Sequence, residues 1–259
     1  MHAARLRRLV ITPVSICIAA AFTAAAATPA APPFDTYVAL GDSAAAVGSL
    51  DRIQPGSPRF CDRAADNYPS VVARTLRVRE FVDVSCSGAK TANMTAPQIG
   101  RGGAVNPPQL AALTPDTDLV TLTIGGNDIG VFDVNVITAA QLTVLTERIG
   151  AILTEIRRRS PHATVVLTTY LRYLPTSGPC FGVLDHGGGQ RLTDTLRELA
   201  RAHGARFADN YAATGHDICA PVEVRRVNGP RPETPTVPLH ANVAGQAYLA
   251  AVVVDAALA

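Results

Sequence analysis

Strands and helices alternate along most of the chain, and this order restricts the possible folds more than any other feature. Short segments rich in β-branched residues predict strands at 36–40, 81–85, 117–125, 163–170 and 205–210. Apolar residues at helical spacing predict helices at 68–78, 138–159, 189–204 and 242–259. Such an alternation predicts an α/β fold, in which a parallel sheet is covered by helices on both faces.

Small residues and polar side chains follow three of the predicted strands. Gly41, Asp42 and Ser43 follow the first strand, Gly88 follows the second, and the segment GGNDIG with Asn127 follows the third. The carboxyl ends of parallel strands meet at one edge of the sheet, where ligands bind. Glycine N–H groups and an amide suit a developing oxyanion, so Ser43 is a candidate nucleophile. The structural alternatives are a helix N-cap for Ser43 and a turn for GGN.

A serine nucleophile needs a base, and the sequence contains six histidines. His240, in VPLHANVAGQ, lies directly before the last predicted helix, at a junction expected to return to the same sheet edge. The other histidines lie in the leader, in turns or loops, or at a helix end: His2, His162, His186, His203 and His216. His240 is therefore the candidate base, with a purely structural role as the alternative.

Charge and composition indicate one globular domain without a polyanionic partner. The 259 residues include 23 Lys and Arg against 21 Asp and Glu, and 47% are hydrophobic. The basic triplet at 157–159 lies at the end of a predicted helix, where it suits the helix dipole. We therefore expect no nucleic-acid partner.

The first residues are typical of a secretory signal peptide at 1–27. Arg5, Arg7 and Arg8 precede an apolar stretch, which ends in small residues. A Pro/Ala-rich linker at 28–35 and a single domain at 36–259 follow. The expected location is outside the cell or at the cell wall, and an uncleaved membrane anchor is the alternative. Without the leader arginines the mature chain is close to neutral.

Cysteine usage agrees with export. Apart from Cys17 in the leader, the chain contains four cysteines: Cys61, Cys86, Cys180 and Cys219. An even number in an exported chain predicts two disulfides, for which three pairings exist. The pairing in sequence order closes the shortest loops. The spacing typical of a zinc site is absent from the sequence, so we expect no metal.

Four segments, ALGDSAAAVG, CSGAKTANM, LTIGGNDIG and LHANVAGQAY, resemble in this order the four blocks of the SGNH (GDSL-type) hydrolases. The segment CDRAADNYPSVVA is similar to the secreted actinobacterial lipases and esterases of that family. The resemblance implies a flavodoxin-like three-layer α/β/α sandwich with a five-stranded parallel sheet. It also implies a serine ester hydrolase without a cofactor. The sequence around Ser43 lacks the second glycine of the G-x-S-x-G nucleophile elbow, so it does not match that motif.

The resemblance assigns roles to residues of this sequence. It implies Ser43 as nucleophile and His240 as general base. The oxyanion hole would consist of the Ser43 N–H, the Gly88 N–H and the Asn127 side chain. Asp42 and Asp128 are interpreted as residues that fix their loops through hydrogen bonds rather than as acids.

Two departures from the family pattern affect the site. Ala44 stands where the family usually has Leu or Tyr, which widens the expected pocket mouth. Val237 stands where the family usually has the aspartate that orients the histidine, and Ala241 replaces the usual proline. We therefore expect the backbone carbonyl of Val237 to accept from His240 Nδ1–H. An Asp209, Asp217 or Glu233 carboxylate at this nitrogen would contradict that expectation.

The expected substrates are small-molecule or lipid carboxylic esters, bound by a monomer that makes transient contact with a lipid surface. The segments 95–109 and 220–238 have no periodicity, and only 5% of residues are aromatic. Both features favour an open cleft and broad esterase activity over true lipase activity. The alternatives are an acyltransferase that uses the same site, a degraded binding protein and a structural cell-wall protein.

Overall fold

The computed structural model describes residues 31–130, 137–178, 180, 187–232 and 234–259. The expected signal peptide, the first three residues of the expected linker (28–30), His186 and Glu233 lie outside these residues.

Five parallel strands form the sheet of the described chain, in the spatial order β2-β1-β5-β6-β7. The strands are β1 (Thr36–Gly41), β2 (Glu80–Asp83), β5 (Leu119–Thr123), β6 (Thr164–Thr168) and β7 (Arg206–Ala208). A separate antiparallel pair consists of β3 (Gln98–Ile99) and β4 (Val105–Asn106). Counted along the main sheet alone, this order is 2-1-3-4-5, the flavodoxin-like topology. The fold expected from the sequence is thereby confirmed.

Four long helices cover the two faces of the sheet. They are α2 (Tyr68–Leu76), α4 (Ala139–Arg159), α5 (Gly188–Ala202) and α6 (Val243–Leu258), and two one-turn helices, α1 (Ser43–Ala46) and α3 (Gly126–Ile129), follow β1 and β5. Apolar side chains of α4 and α5 pack on one face, together with Val38, Leu40 and Leu122. Those of α2 and α6 pack on the other face, together with Tyr37 and Val166. No helix of the described residues combines the length and hydropathy of a membrane span.

Side-chain caps fix the starts of three of the four long helices. The Thr138 hydroxyl accepts from the Gln141 N–H before α4, and the Gln141 side-chain oxygen accepts from the Thr138 N–H. Asn67 and Asn242 cap α2 and α6 in the same way, by accepting from Ser70 and Gly245. These polar residues at the element boundaries explain why the predicted helices agree with the observed ones within a few residues.

The segment 95–109 contains more structure than its lack of periodicity suggests. It holds the β3–β4 pair and short 3₁₀ turns. Strands of two residues are too short to produce a recognisable alternation, which is why the sequence does not predict them.

Both sequential disulfides are present: Cys61 pairs with Cys86, and Cys180 pairs with Cys219. The first joins the segment between α1 and α2 to the turn that follows β2. All four cysteines of the described residues are therefore engaged in disulfides.

Candidate active site

Ser43 is the first residue of α1, directly after the end of β1, and its side chain is 9% exposed. The N-cap of this helix is Asp42, whose carboxylate accepts from the Ala44 N–H at 2.9 Å. The capping role considered for Ser43 therefore belongs to Asp42. The Ser43 hydroxyl is not needed to begin the helix, and the Ser43 N–H lies at a helix start, where backbone donors have no intrahelical acceptor.

Gly41 and Gln109 fix the strand end that carries the serine. The buried amide of Gln109 accepts from the Gly41 N–H at 2.7 Å and donates to the Gly41 carbonyl at 2.9 Å. A Cβ at Gly41 would lie 2.7 Å from the Thr123 carbonyl oxygen, so only glycine fits between the two strands. The sequence offers no signal for Gln109, which lies in a segment without periodicity.

Tyr170 connects the serine loop to the loop after β5. Its buried hydroxyl donates to Asp42 Oδ2 at 2.6 Å and accepts from the Gly126 N–H at 2.7 Å. Burial raises the pKa of Asp42 to about 7, while the hydrogen bonds from Tyr170 and from Ala44 lower it. Sequence reasoning missed Tyr170, because it lies in an ordinary predicted strand.

The Gly88 loop and Asn127 lie together. Gly88 has a φ of +73° in a turn closed by the hydrogen bond from the Ala89 N–H to the Cys86 carbonyl at 3.1 Å, a conformation that favours glycine. Asn127 Nδ2 donates to the Ala89 carbonyl at 3.0 Å, which uses one of its two N–H groups. Gly88 and Asn127, two of the three predicted oxyanion donors, therefore lie in segments that a hydrogen bond joins directly.

Asp128 strengthens the same junction. Its carboxylate accepts from the Thr91 N–H at 2.9 Å and from Arg148 Nη1 at 3.1 Å. Asp42 and Asp128 both fix loops through hydrogen bonds, as interpreted from the sequence. A small cavity next to them is lined by Ser43, Asn127 and Tyr173, among other residues.

His240 is 9% exposed, and its Nδ1 lies 2.8 Å from the Pro238 carbonyl oxygen. The predicted acceptor, the carbonyl of Val237, is wrong by one residue. Leu239 has a left-handed φ of +62°, which reverses the chain and brings the nearer carbonyl to the ring. Because a carbonyl can only accept, Nδ1 carries the proton, and Nε2 of the neutral ring is basic. Burial lowers the pKa of His240 and so favours this neutral form.

Two of the three carboxylates considered for His240 have other partners. Asp209 binds Arg197 at 2.6 Å, and Asp217 accepts from the Cys219 N–H at 2.9 Å. The third, Glu233, lies outside the described residues.

Hydrogen bonds hold the histidine segment against the chain that follows Ser43. The Leu50 N–H donates to the Pro235 carbonyl at 2.8 Å, and the Thr236 hydroxyl donates to the Gly48 carbonyl at 2.9 Å. A second cavity is lined by both Ala44 and Ala241, the neighbours of the two candidate catalytic residues. The fold therefore brings the predicted nucleophile and base to one region. His216 instead bonds the Val224 carbonyl, and His203 ends α5.

Most of the chain is similar to known proteins. Residues 39–248 match the GDSL-like lipase/acylhydrolase family. The chain is 35% identical to Lipase 2 of Streptomyces coelicolor, over 88% of this chain and 88% of that protein.

Two solved structures share the fold. The extracellular lipase of Streptomyces rimosus superposes with a TM-score of 0.70 and 25% identity, over 86% of this chain and 99% of that chain. The phospholipase A1 of Streptomyces albidoflavus superposes with a TM-score of 0.68 and 26% identity, over the same shares. The family match includes the segments of Ser43, Gly88, Asn127 and His240. The chain belongs to the GDSL-like lipase/acylhydrolase family and is an ester hydrolase.

Proposed function

We propose that the protein hydrolyses carboxylic esters through a Ser43–His240 dyad. His240 Nε2 takes the Ser43 hydroxyl proton as Oγ attacks the ester carbonyl carbon. His240 then gives this proton to the leaving alcohol, which leaves an acyl group on Ser43. A water molecule, deprotonated by His240, attacks the acyl carbon. The bond to Oγ then breaks as His240 returns the proton to Ser43, which releases the carboxylic acid and restores the free enzyme. The mechanism as written uses no metal or cofactor.

The oxyanion of each tetrahedral intermediate is stabilised by three donors: the Ser43 N–H, the Gly88 N–H and the Asn127 amide. The start of α1 and the turn at Gly88 present backbone N–H groups that are fixed before the reaction. Such preorganised donors stabilise developing charge without reorganisation during the reaction.

The observation that carries the proposal is the division of roles around α1 and His240. Asp42 caps the helix, which leaves the Ser43 hydroxyl for attack. The Pro238 carbonyl takes the orienting position that the family usually gives to aspartate. A carbonyl fixes the tautomer as a carboxylate does, but it adds no negative charge to stabilise the imidazolium.

The similar proteins from Streptomyces are lipases and a phospholipase, which supports carboxylic esters of lipids among the substrates. Ala44 lines the small cavity beside Ser43 as well as the small cavity beside Ala241. The leader pattern and the two disulfides support secretion. A monomer remains our expectation for the assembly.

Hydrolysis of p-nitrophenyl esters from acetate to palmitate tests the proposal. We expect acid release by the wild type, loss with Ser43→Ala, and ordinary activity with Ser49→Ala, whose hydroxyl bonds Asp66 instead. Release of free acid in the presence of glycerol separates hydrolysis from acyl transfer. An inactive wild type across the whole series would contradict the proposed function and favour a binding protein.

A further inference from the structure

The β3–β4 hairpin turns its polar side chains toward the protein and its apolar side chains outward, the reverse of the usual arrangement. Gln98 pairs with Asn106, and Ile99 pairs with Val105. Directly opposite residues of an antiparallel pair share a face, and successive residues point to opposite faces. Asn106 is 2% exposed, whereas Ile99 and Val105 are 63% and 47% exposed. The polar pair therefore faces the protein and the apolar pair faces outward.

Hydrogen bonds on the inner face maintain this orientation. Asn106 Oδ1 accepts from the buried Arg63 guanidinium at 2.9 Å, and Asn106 Nδ2 donates to the Val84 carbonyl at 3.2 Å. Gln98 Nε2 donates to the Ser87 carbonyl at 2.7 Å. Turning Ile99 and Val105 inward would shift the register by one residue and leave buried polar groups without partners.

Two exposed arginines, Arg59 and Arg101, lie next to apolar residues of this region in sequence. Arg101 is exposed at the tip of the hairpin. Gly100 packs directly on the ring of Phe60, beside the exposed Arg59. The segment between Cys86 and Pro115 contains Lys90 and Arg101 but no acidic residue. We call Phe60, Ile99 and Val105, with Arg59 and Arg101, the hairpin patch.

The hairpin patch adjoins the candidate oxyanion hole. Gln98 binds the Ser87 carbonyl, and Ser87 directly precedes Gly88. A Cβ at Gly88 would lie 3.8 Å from Gln98 Nε2. The hairpin that carries the patch therefore packs, through its inner face, against the turn of the candidate oxyanion hole.

We propose that the hairpin patch docks the enzyme on an anionic phospholipid surface. This inference rests on the proposed function and adds which part of the enzyme contacts the lipid substrate. Two apolar side chains suit the boundary between headgroups and acyl chains, and arginines at the rim suit lipid phosphates. A protein partner fits less well, because stable protein interfaces bury roughly 1,200 Å² or more, and this patch offers few apolar side chains. The mature chain is near neutral, so the attraction depends on this local charge rather than on net charge.

Sedimentation with vesicles tests the docking surface. Vesicles of equal parts phosphatidylglycerol and phosphatidylcholine are mixed with a Ser43→Ala background, which leaves the lipid intact. We expect Ile99→Ser with Val105→Ser to lower the partition coefficient about tenfold or more, because the apolar contact is lost. Val144→Ser, which replaces a valine that is 43% exposed on α4, should change it less than twofold. Arg101→Gln should weaken binding to these vesicles but not to pure phosphatidylcholine.

A second readout separates this proposal from the proposed function. With Ser43 restored, the Ile99→Ser and Val105→Ser variant should hydrolyse soluble p-nitrophenyl acetate within twofold of wild type and cleave vesicle lipid more slowly. Equal vesicle binding by the background and the double variant would overturn the docking surface, as would no vesicle binding at all. A wild-type enzyme that does not hydrolyse p-nitrophenyl acetate would instead overturn the proposed function.

Discussion

Ser43 and His240 are equally buried, each 9% exposed, yet the contacts that hold them differ in kind. Around Ser43, side chains from distant parts of the chain bind the backbone and the capping carboxylate: Gln109 at Gly41 and Tyr170 at Asp42. Backbone groups bind the His240 ring and the His240 carbonyl. The Pro238 carbonyl accepts from the ring, and the Asn228 N–H donates to the His240 carbonyl at 2.7 Å.

This difference predicts which substitutions can change the position of a catalytic residue and which cannot. A side chain that fixes the nucleophile can be removed by one mutation, and the loss should appear in the rate. A backbone acceptor remains whatever residue carries it. The nucleophile side should therefore be sensitive to substitutions outside the dyad, whereas replacing the side chain of the residue whose carbonyl orients His240, or of its neighbour Val237, should have little effect.

The largest effect is expected for His240→Ala, which removes the base from the backbone-held side. We predict that kcat falls by on the order of 10⁴-fold, the upper range for general acid–base catalysis. His216→Ala is the matched control, because His216 Nδ1 also lies close to a backbone carbonyl, 2.7 Å from that of Val224. Ester hydrolysis under saturating substrate measures both. Comparable losses in the two variants would contradict a specific role for His240.

Asn127→Ala removes the side-chain donor of the proposed oxyanion hole. We predict a loss of about 10²–10³ in kcat, typical of one such donor. Asn93→Ala is the control, since Asn93 accepts from the Lys90 N–H nearby but is not assigned to the hole. An Asn127→Ala enzyme with wild-type kcat would remove Asn127 from the site.

Tyr170→Phe tests the side-chain connection on the nucleophile side. It removes the hydrogen bonds to Asp42 and Gly126, and we expect kcat to fall about tenfold with KM nearly unchanged, because the reacting groups lose alignment. Tyr37→Phe is the control, since this buried tyrosine bonds Thr121 at 2.8 Å inside the sheet. Both variants should lose roughly 1 kcal/mol of unfolding free energy. Equal kcat values in the two would reduce Tyr170 to a purely structural role.

The smallest effect is expected for Val237→Ala, at the position where the family usually has an acid. The orienting acceptor is the carbonyl of the next residue, so kcat should stay within about twofold of wild type. Steady-state kinetics on a soluble ester provide the measurement. A loss above tenfold would show that the Val237 side chain positions His240, and the contrast between the two sides would fail.

The same contrast explains how far the sequence predicts this molecule. Ser43, Gly88, Asn127 and His240 lie beside local markers, such as strand ends, glycines and a capped helix start, which can be recognised without knowing the fold. Gln109 and Tyr170 lie 68 and 128 residues from their partners Gly41 and Asp42, and no periodicity encodes such pairs. The Pro238 acceptor depends on the left-handed φ at Leu239, a conformation that a leucine in a sequence does not predict. The β3–β4 hairpin is too short for its alternation to be recognised.

Covalent labelling by a serine-reactive p-nitrophenyl phosphonate, with the adduct located by peptide mass spectrometry, tests the central claim most directly. Attack by Ser43 on phosphorus releases p-nitrophenol and leaves the phosphonyl group on Oγ. The account predicts one adduct on Ser43 in the wild type and in Ser49→Ala, none in Ser43→Ala, and much slower labelling in His240→Ala. An adduct on another residue, or labelling of Ser43→Ala at the wild-type rate, would contradict it.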